Sequence, residues 1–293
     1  MVTDEHLDPA EPSSAVLEEL ERLCVDLAVA AARLIRDERP QQVGVAATKT
    51  TDTDVVTIMD QRSEELLHRL IRGARPDDGI LGEEGADVLG TSGLTWVIDP
   101  IDGTVNYLYE IPAYAVSVAV VTGDARTEGG WRALAGAVAD PSRELVHHAR
   151  RGGGAWTVPE SAPAPGSPTR ARRLAVSTEE RLGRSLLATG FGYDADVRAR
   201  QAEVLRSVLP QVRDIRRIGS AALDLVRVAD GSVDAYAESG LNAWDLAAGW
   251  VIVEEAGGVV LGRRGHRPGK ALTVAAGPAL VQPVQALFDP ATQ

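Results

Sequence analysis

Carboxylates at the ends of apolar runs are the side chains of this sequence best placed to do chemistry. Gly82-Glu83-Glu84-Gly85 follows a run ending at Leu81, Asp99 and Asp102 follow the run 95–98, and Asp245 comes directly after Asn242-Ala243-Trp244. Singly, each has an ordinary reading: Asp245 as a helix N-cap, 99–103 as a turn, Glu83 and Glu84 as solvated loop charge. The segment Asp99-Pro100-Ile101-Asp102-Gly103-Thr104 is less easily dismissed. Pro100 stiffens it, and two carboxylates flank a residue whose carbonyl can also turn inward. Hard oxygen donors of this kind suit Mg²⁺, which takes one or two carboxylates and leaves positions for water and phosphate oxygens. If further carboxylates converge there, a cation is the natural remedy, because two charges ~4 Å apart repel by about 4 kcal/mol at an effective dielectric of about 20. Gly103 lets backbone approach an anion, and the amides after it can donate to phosphate if a short helix begins at Thr104. Metal oxygens beside free amides describe a phosphate site, although spacing leaves open whether these parts meet.

The elements that would position them follow from hydrophobic periodicity. Apolar residues at helical spacing over 15–37, including Leu17, Leu20, Cys24, Leu27, Ala31 and Ile35, predict a helix that ends before Pro40. Asp60 opens a second amphipathic helix carrying Leu66, Leu67, Leu70 and Ile71, closed by Arg72, Gly73 and Pro76. Short runs at 79–81, 95–98, 115–122, 134–139 and 144–149 read as strands, most easily arranged antiparallel because most connections are too short for crossover helices. The stretch 159–169, rich in proline, alanine and serine, reads as a surface loop near a domain junction. Beyond it strands (186–189, 214–218, 233–238, 259–261, 272–275) alternate with helices (197–209, 221–229, 244–256, 279–288), which implies a layered α/β half. The expected division is an N-terminal α+β portion, 1–178, and a C-terminal α/β portion, 179–293, that completes the site.

Composition excludes several classes. The chain has 293 residues with 44% hydrophobic and 25% charged, close to globular averages, so disordered, collagenous and disulfide-scaffold proteins are set aside. A sum of 30 Lys+Arg against 42 Asp+Glu, net −12, argues against a broad nucleic-acid or anionic-membrane face. The single cysteine, Cys24, sits on an apolar helix stripe and reads as core. No export signal and no apolar run of the ~20 residues needed for a membrane span is visible, so a cytoplasmic protein is expected.

With these residues set out, the sequence resembles the inositol monophosphatase family. Gly82-Glu83-Glu84, Ile98-Asp99-Pro100-Ile101-Asp102-Gly103-Thr104-Val105-Asn106 and Trp244-Asp245-Leu246-Ala247-Ala248-Gly249 match its three signatures in order, and the resemblance runs from about Lys49 to Gly258. It implies an αβαβα sandwich and a lithium-sensitive phosphomonoesterase in which Glu83, Asp99, Asp102 and Asp245, with the Ile101 carbonyl, hold two or three Mg²⁺ ions. Thr104 and Asp60 would orient the attacking water, and Lys49 would steady a metal-bound water or the phosphate. Plainer readings stay open: Asp60 as a helix N-cap, Lys49 as a surface lysine, and Gly219-Ser220-Ala221 as an ordinary helix start. By the same resemblance Gly103, Gly219, Ser220, Ala221 and Glu238 would contact substrate, with Asp102 serving both metal and hydroxyl. One residue departs from the pattern: Glu110 stands where the family commonly has glycine.

The reaction so implied is direct in-line attack of water on a phosphate monoester, without a phosphoenzyme. Inositol 1-phosphate leads as substrate, because the 219–221 and Glu238 positions suit polyol hydroxyls. Histidinol phosphate is the alternative, its cationic amine matched by Glu110 and Glu238. Fructose 1,6-bisphosphate and 3′-phosphoadenosine 5′-phosphate follow. A non-catalytic regulatory or scaffolding relative is the rival class. Expected partners are the small phosphate ester and a second copy in a homodimer, with no nucleic acid and no membrane.

Overall fold

Five layers, α/β/α/β/α, make up the computed structural model of the chain, which describes residues 12–41, 43–48, 55–85, 87–161 and 171–289. In chain order the elements are α1 (Ser14–Asp37), β1 (Val45–Thr48), β2 (Val55–Thr57), α2 (Ile58–Ala74), β3 (Gly79–Gly82), β4 (Leu94–Asp102), α3 (Thr104–Leu108), β5 (Ala115–Gly123), β6 (Trp131–Asp140), β7 (Leu145–Arg150), β8 (Gly154–Pro159) and β9 (Arg172–Arg173). The second half continues with β10 (Leu186–Ala188), α4 (Ala195–Val208), β11 (Asp214–Arg216), α5 (Ala221–Ala229), β12 (Ala235–Glu238), α6 (Ala243–Glu255), β13 (Val259–Leu261), β14 (Thr273–Ala276) and α7 (Val281–Phe288). β3 to β9 form one sheet in sequence order, β11-β10-β12-β14-β13 a second, and β1 pairs with β2 as a hairpin.

Period-two burial builds the layers. Along β4 and β5, Trp96, Ile98, Val116, Val118 and Val120 face α1 and α2, while Val97, Ala119 and Val121 face α5 and α6. The same middle layer is closed from the other side by Ala188, Tyr236, Val260 and Ala275 of the small sheet. That sheet turns Leu187, Ala235, Ala237, Val274 and Ala276 outward onto α4 and α7. Close approach of α6 to the large sheet requires Gly136, where a Cβ would lie 2.7 Å from the Ala248 Cα. Cys24 is fully buried, as its place on the α1 stripe implies.

Two expectations need correcting. The strand at 79–81 is not antiparallel: β3 pairs parallel with β4, Gly79 opposite Thr95 and Gly82 opposite Ile98. The 83–93 connection returns without a helix, helped by a bridge between Ile80 and Val88. The segment 99–103 is not a free turn, because β4 runs through Asp102 with a register irregularity between Asp99 and Asp102. β8 and β9, unforeseen in the sequence, extend the sheet. Most of the proline-rich stretch, 162–170, lies outside the described residues.

Candidate active site

The β4 irregularity does the first positioning step. Asp99 stands opposite Ser117 and Asp102 opposite Ala115, so three steps on β4 match two on β5. In a regular strand residues three apart point to opposite faces; the extra residue brings Asp99 and Asp102 to the same side. Asp245 reaches them from the first turn of α6. Oxygen atoms of Asp99, Asp102 and Asp245 all lie within 4.8 Å of one another. Asp99 and Asp102 are buried and Asp245 half-buried.

Each carboxylate is fixed by local hydrogen bonds. Asp99 Oδ1 accepts from the Ile101 amide at 3.0 Å. Asp102 Oδ2 accepts from Ser220 Oγ at 2.6 Å and from the Ala222 amide at 2.7 Å, so the start of α5 holds it. Asp245 Oδ2 accepts from the Asn242 amide at 2.6 Å. This replaces its plainer reading as an N-cap: Asn242 is the N-cap of α6 and Asp245 its partner three residues on, in a capping box. Burial pushes Asp102 up to about 6 and Asp245 well above the ordinary carboxyl range, with the negative charge of Glu83 next among the causes for Asp245. Glu83 lies on the turn after β3, half-buried.

Asp60 is fully buried in the first turn of α2 and is likewise not the N-cap. Thr57 caps the helix, and Asp60 Oδ2 accepts from the Thr57 amide at 2.8 Å. Its other oxygen, Oδ1, accepts from Thr104 Oγ1 at 3.1 Å, and the Ile101 carbonyl lies 3.0 Å from the same hydroxyl. Burial raises Asp60 to about 6 against the opposing pull of the Thr57 bonds. One carboxylate thus caps a helix and ties it to Thr104, at the start of α3, where the expected short helix does begin.

The 219–221 segment and Glu238 come in from the second half. Gly103 and Gly219 take left-handed φ of 93° and 96° and pack together, a Cβ on Gly103 lying 3.0 Å from the Gly219 carbonyl oxygen. Ser220 caps α5, accepting from the Leu223 amide. The Ala221 and Ala222 amides both act on Asp102. Glu238, at the end of β12, accepts from Tyr236 Oη at 2.7 Å and is pushed up to about 7, mainly by burial. It lines a cavity of about 140 Å³ with Phe191, Leu205, Leu272 and Phe288. Glu110 does not line that cavity; it is exposed, 3.8 Å from Arg39, at φ 61°. The loop therefore keeps a left-handed path of the kind glycine favours. Lys49 lies outside the described residues.

Sequence reasoning missed several supporting residues. Glu64, buried on α2, accepts from the amides of Glu84 and Gly85 at 2.8 and 2.5 Å and so shapes the turn that carries Glu83. Asn106 Nδ2 donates to the carbonyls of Ala113 and Ile218, joining α3 to the 219 segment. Thr57 and Asn242 carried a readable signal: each stands three residues before an aspartate at a helix start.

The layered fold brings together, at the end of β4 and the start of α6, a largely buried carboxylate cluster that could hold a metal ion, the kind of site a phosphoryl-group hydrolase uses. The sequence profile of the inositol monophosphatase family matches residues 16–287. An inositol-1-monophosphatase SuhB of Mycobacterium tuberculosis is 43% identical over 272 residues, covering 88% of both chains. A Nus factor SuhB of Xylella fastidiosa is 39% identical over 213 residues, 72% of this chain and 70% of that protein. The solved structure of Mycobacterium tuberculosis SuhB superposes with a TM-score of 0.75 at 40% identity, covering 92% of this chain and 95% of that one. The chain belongs to the inositol monophosphatase family and is a phosphoric monoester hydrolase of that type.

Proposed function

We propose that the chain hydrolyses inositol 1-phosphate to inositol and phosphate with Mg²⁺ held by Glu83, Asp99, Asp102, Asp245 and the Ile101 carbonyl. The observation that carries this reading is the convergence of three carboxylates within 4.8 Å in a partly desolvated site. The donors are all hard oxygens, and the cluster contains no thiolate or imidazole, which fits Mg²⁺ better than a transition metal. The raised pKa values of Asp102 and Asp245 are what like charges show when crowded and desolvated, and a divalent cation would relieve both causes. When bound, two or three such ions would acidify a water and neutralise charge gathering on the phosphoryl oxygens.

The remaining residues do positional work. Asp60 fixes the Thr104 hydroxyl through its hydrogen bond, so that the Thr104 oxygen is left to accept from the attacking water. Lys49 would contribute a charge on the phosphate side. Gly103 and Gly219 allow the backbone to approach the ester closely, and Ser220, Ala221 and Glu238 meet the hydroxyls of the leaving alcohol. The names of the mycobacterial relatives support inositol 1-phosphate as that alcohol's ester. Histidinol phosphate is the second substrate to try, because the Glu238 carboxylate in this cavity could meet its cationic amine.

Relatives named as Nus factors support a further reading, in which the protein acts in transcription beside its catalysis. A cytoplasmic homodimer remains part of the proposal. No described helix is long and apolar enough to cross a membrane. The test is phosphate release from inositol 1-phosphate, histidinol phosphate, fructose 1,6-bisphosphate, 3′-phosphoadenosine 5′-phosphate and a generic monoester, with Mg²⁺, with chelator and with lithium. Mg²⁺-dependent, lithium-sensitive release strongest on inositol 1-phosphate is expected. Equal release with chelator would overturn the metal reading, and a stronger second substrate would replace the first.

A further inference from the structure

In a chain of net charge −12, residues 256–288 contain no aspartate or glutamate. Their charges gather in the connection from β13 to β14, as Arg263, Arg264, Arg267 and Lys270, with His266 among them. All five are exposed. Only part of this charge is engaged. Arg263 Nε donates to Asp289 at 2.9 Å, and Arg267 Nη1 donates to the Trp131 carbonyl at 2.6 Å. The side chains of Arg264, His266 and Lys270 make no hydrogen bond or ion pair among the described residues.

The loop is built rather than loose. The Gly262 amide donates to the His266 carbonyl at 2.7 Å, the Arg264 amide to Asp289 at 3.2 Å, and the Ala271 amide to Glu128 Oε1 at 3.3 Å. Arg264 itself is held at φ 53°, a left-handed conformation that a bulky side chain adopts at a cost of roughly 1 kcal/mol or more. Arg263, Arg264, His266 and Arg267 line a cavity of about 440 Å³, within the size range of small-molecule sites. Glu128 also lines it, and it braces the Ala271 amide while pairing with no cation among the described residues. Unspent guanidinium donors on a concave wall are what recognition of a phosphate group uses.

We propose that this loop is a second, non-catalytic binding site for a small phosphate-bearing anion. It adjoins the carboxylate cleft: Glu128 and Lys270 also line the 620 Å³ cavity that holds Glu83 and Trp244. The ligand is a small anion rather than a nucleic acid, because Arg263, Arg264, His266 and Arg267 gather around one cavity on an acidic chain instead of forming an extended basic face. The site stands whether or not the cleft is catalytic.

Calorimetric titration of the full chain with inorganic pyrophosphate tests it, in chelator so that the carboxylate cleft carries no cation. Saturable binding is expected, weakened at least tenfold in Arg264→Gly and further in Arg264→Gly with Arg267→Ala. Arg264→Gly removes the guanidinium and puts at φ 53° the residue that favours it, so lost binding cannot be assigned to misfolding. Asp245→Asn should bind pyrophosphate as the parent does. Absence of saturable binding at low salt, equal affinity in the arginine variants, or loss in Asp245→Asn would each overturn the proposal. So would preference for a single-stranded oligonucleotide over pyrophosphate in the same titration.

Discussion

Two sets of buried carboxylates in this molecule are treated in opposite ways. Beneath α1 and α2, Glu21 accepts from His148 Nδ1 at 2.8 Å and lies 3.2 Å from Arg150 Nε, while Asp78 pairs with Arg75 at 2.9 Å and accepts from Trp96 Nε1 at 3.0 Å. In the cleft, Asp102 and Asp245 are met by a hydroxyl and backbone amides, and neither has an arginine, lysine or histidine within ion-pair reach among the described residues. The first set is neutralised inside the chain. The second has no countercharge inside the chain, so burial and mutual repulsion raise its pKa values, a condition that a bound cation would relieve.

Removing a cleft carboxylate breaks the comparison most sharply. Asp245→Asn should lower kcat by ~10³-fold or more, on the scale of losing a preorganised electrostatic contact in a dry site. It should also raise the melting temperature in chelator, since a buried carboxyl whose ionisation folding penalises is gone, and abolish the stabilisation expected from Mg²⁺ in the parent. A thermal melt with and without Mg²⁺ beside a phosphate-release assay reads all three. Normal turnover in the variant would remove Asp245 from the metal site.

The paired set should respond in reverse. Glu21→Gln leaves His148 without its buried carboxylate while Arg150 keeps Glu18 at 2.8 Å, and should cost about 1–2 kcal/mol, with kcat unchanged below the transition. Denaturant unfolding against kcat measures the contrast. A drop in kcat larger than the loss of folded protein would mean that the two regions are coupled.

How much of this contrast was legible beforehand depends on the residue. The carboxylates proposed to hold metal stand in contiguous motifs at the ends of apolar runs, so their types and neighbours single them out as candidates. What spacing could not supply was the β4 irregularity: residues 99 and 102 are on opposite faces of any regular strand, and only the pairing with β5 brings them together. The parallel pairing of β3 was hidden for the same reason, because direction belongs to the partner strand and not to the run itself. Helix cores at 221–229 and the strand at 259–261 were readable to the residue, since caps and periodicity are local. Glu64 was invisible: its role rests on contact with amides 20 and 21 residues away.

Acid sharpens the comparison with a smaller effect. Asp60 has its pKa raised from 3.8 to about 6 in the folded chain, and Asp102 likewise. A carboxyl raised on folding contributes stability that is fully present below about pH 4 and lost as pH rises through about 6. The gap of about two units sets an upper bound near 3 kcal/mol per group, and a realistic figure for Asp60 is about 1–2. Metal-free protein should therefore lose stability between pH 4 and 7, and saturating Mg²⁺ should flatten that slope. Asp60→Asn in chelator should flatten it in part. A parent whose metal-free stability rises over this window would show that other groups outweigh the cleft.

The smallest expected effect lies at Glu110, outside both sets. Its φ of 61° is a left-handed conformation that costs a non-glycine residue roughly 1–2 kcal/mol. Glu110→Gly relieves that strain but lets the unfolded chain gain entropy worth about 0.5–1 kcal/mol. The 3.8 Å contact with Arg39 is exposed and its loss is worth at most a few tenths of a kcal/mol. The balance is a gain of about 0.5 kcal/mol, read as a small rise in denaturant midpoint at constant slope, with kcat and KM for the phosphate ester unchanged. A change in KM without a change in stability would bring Glu110 into the substrate path. Destabilisation by 1 kcal/mol or more would show instead that the Arg39 contact, together with the stacking of Arg39 4.7 Å over the Tyr107 ring, holds the loop after α3.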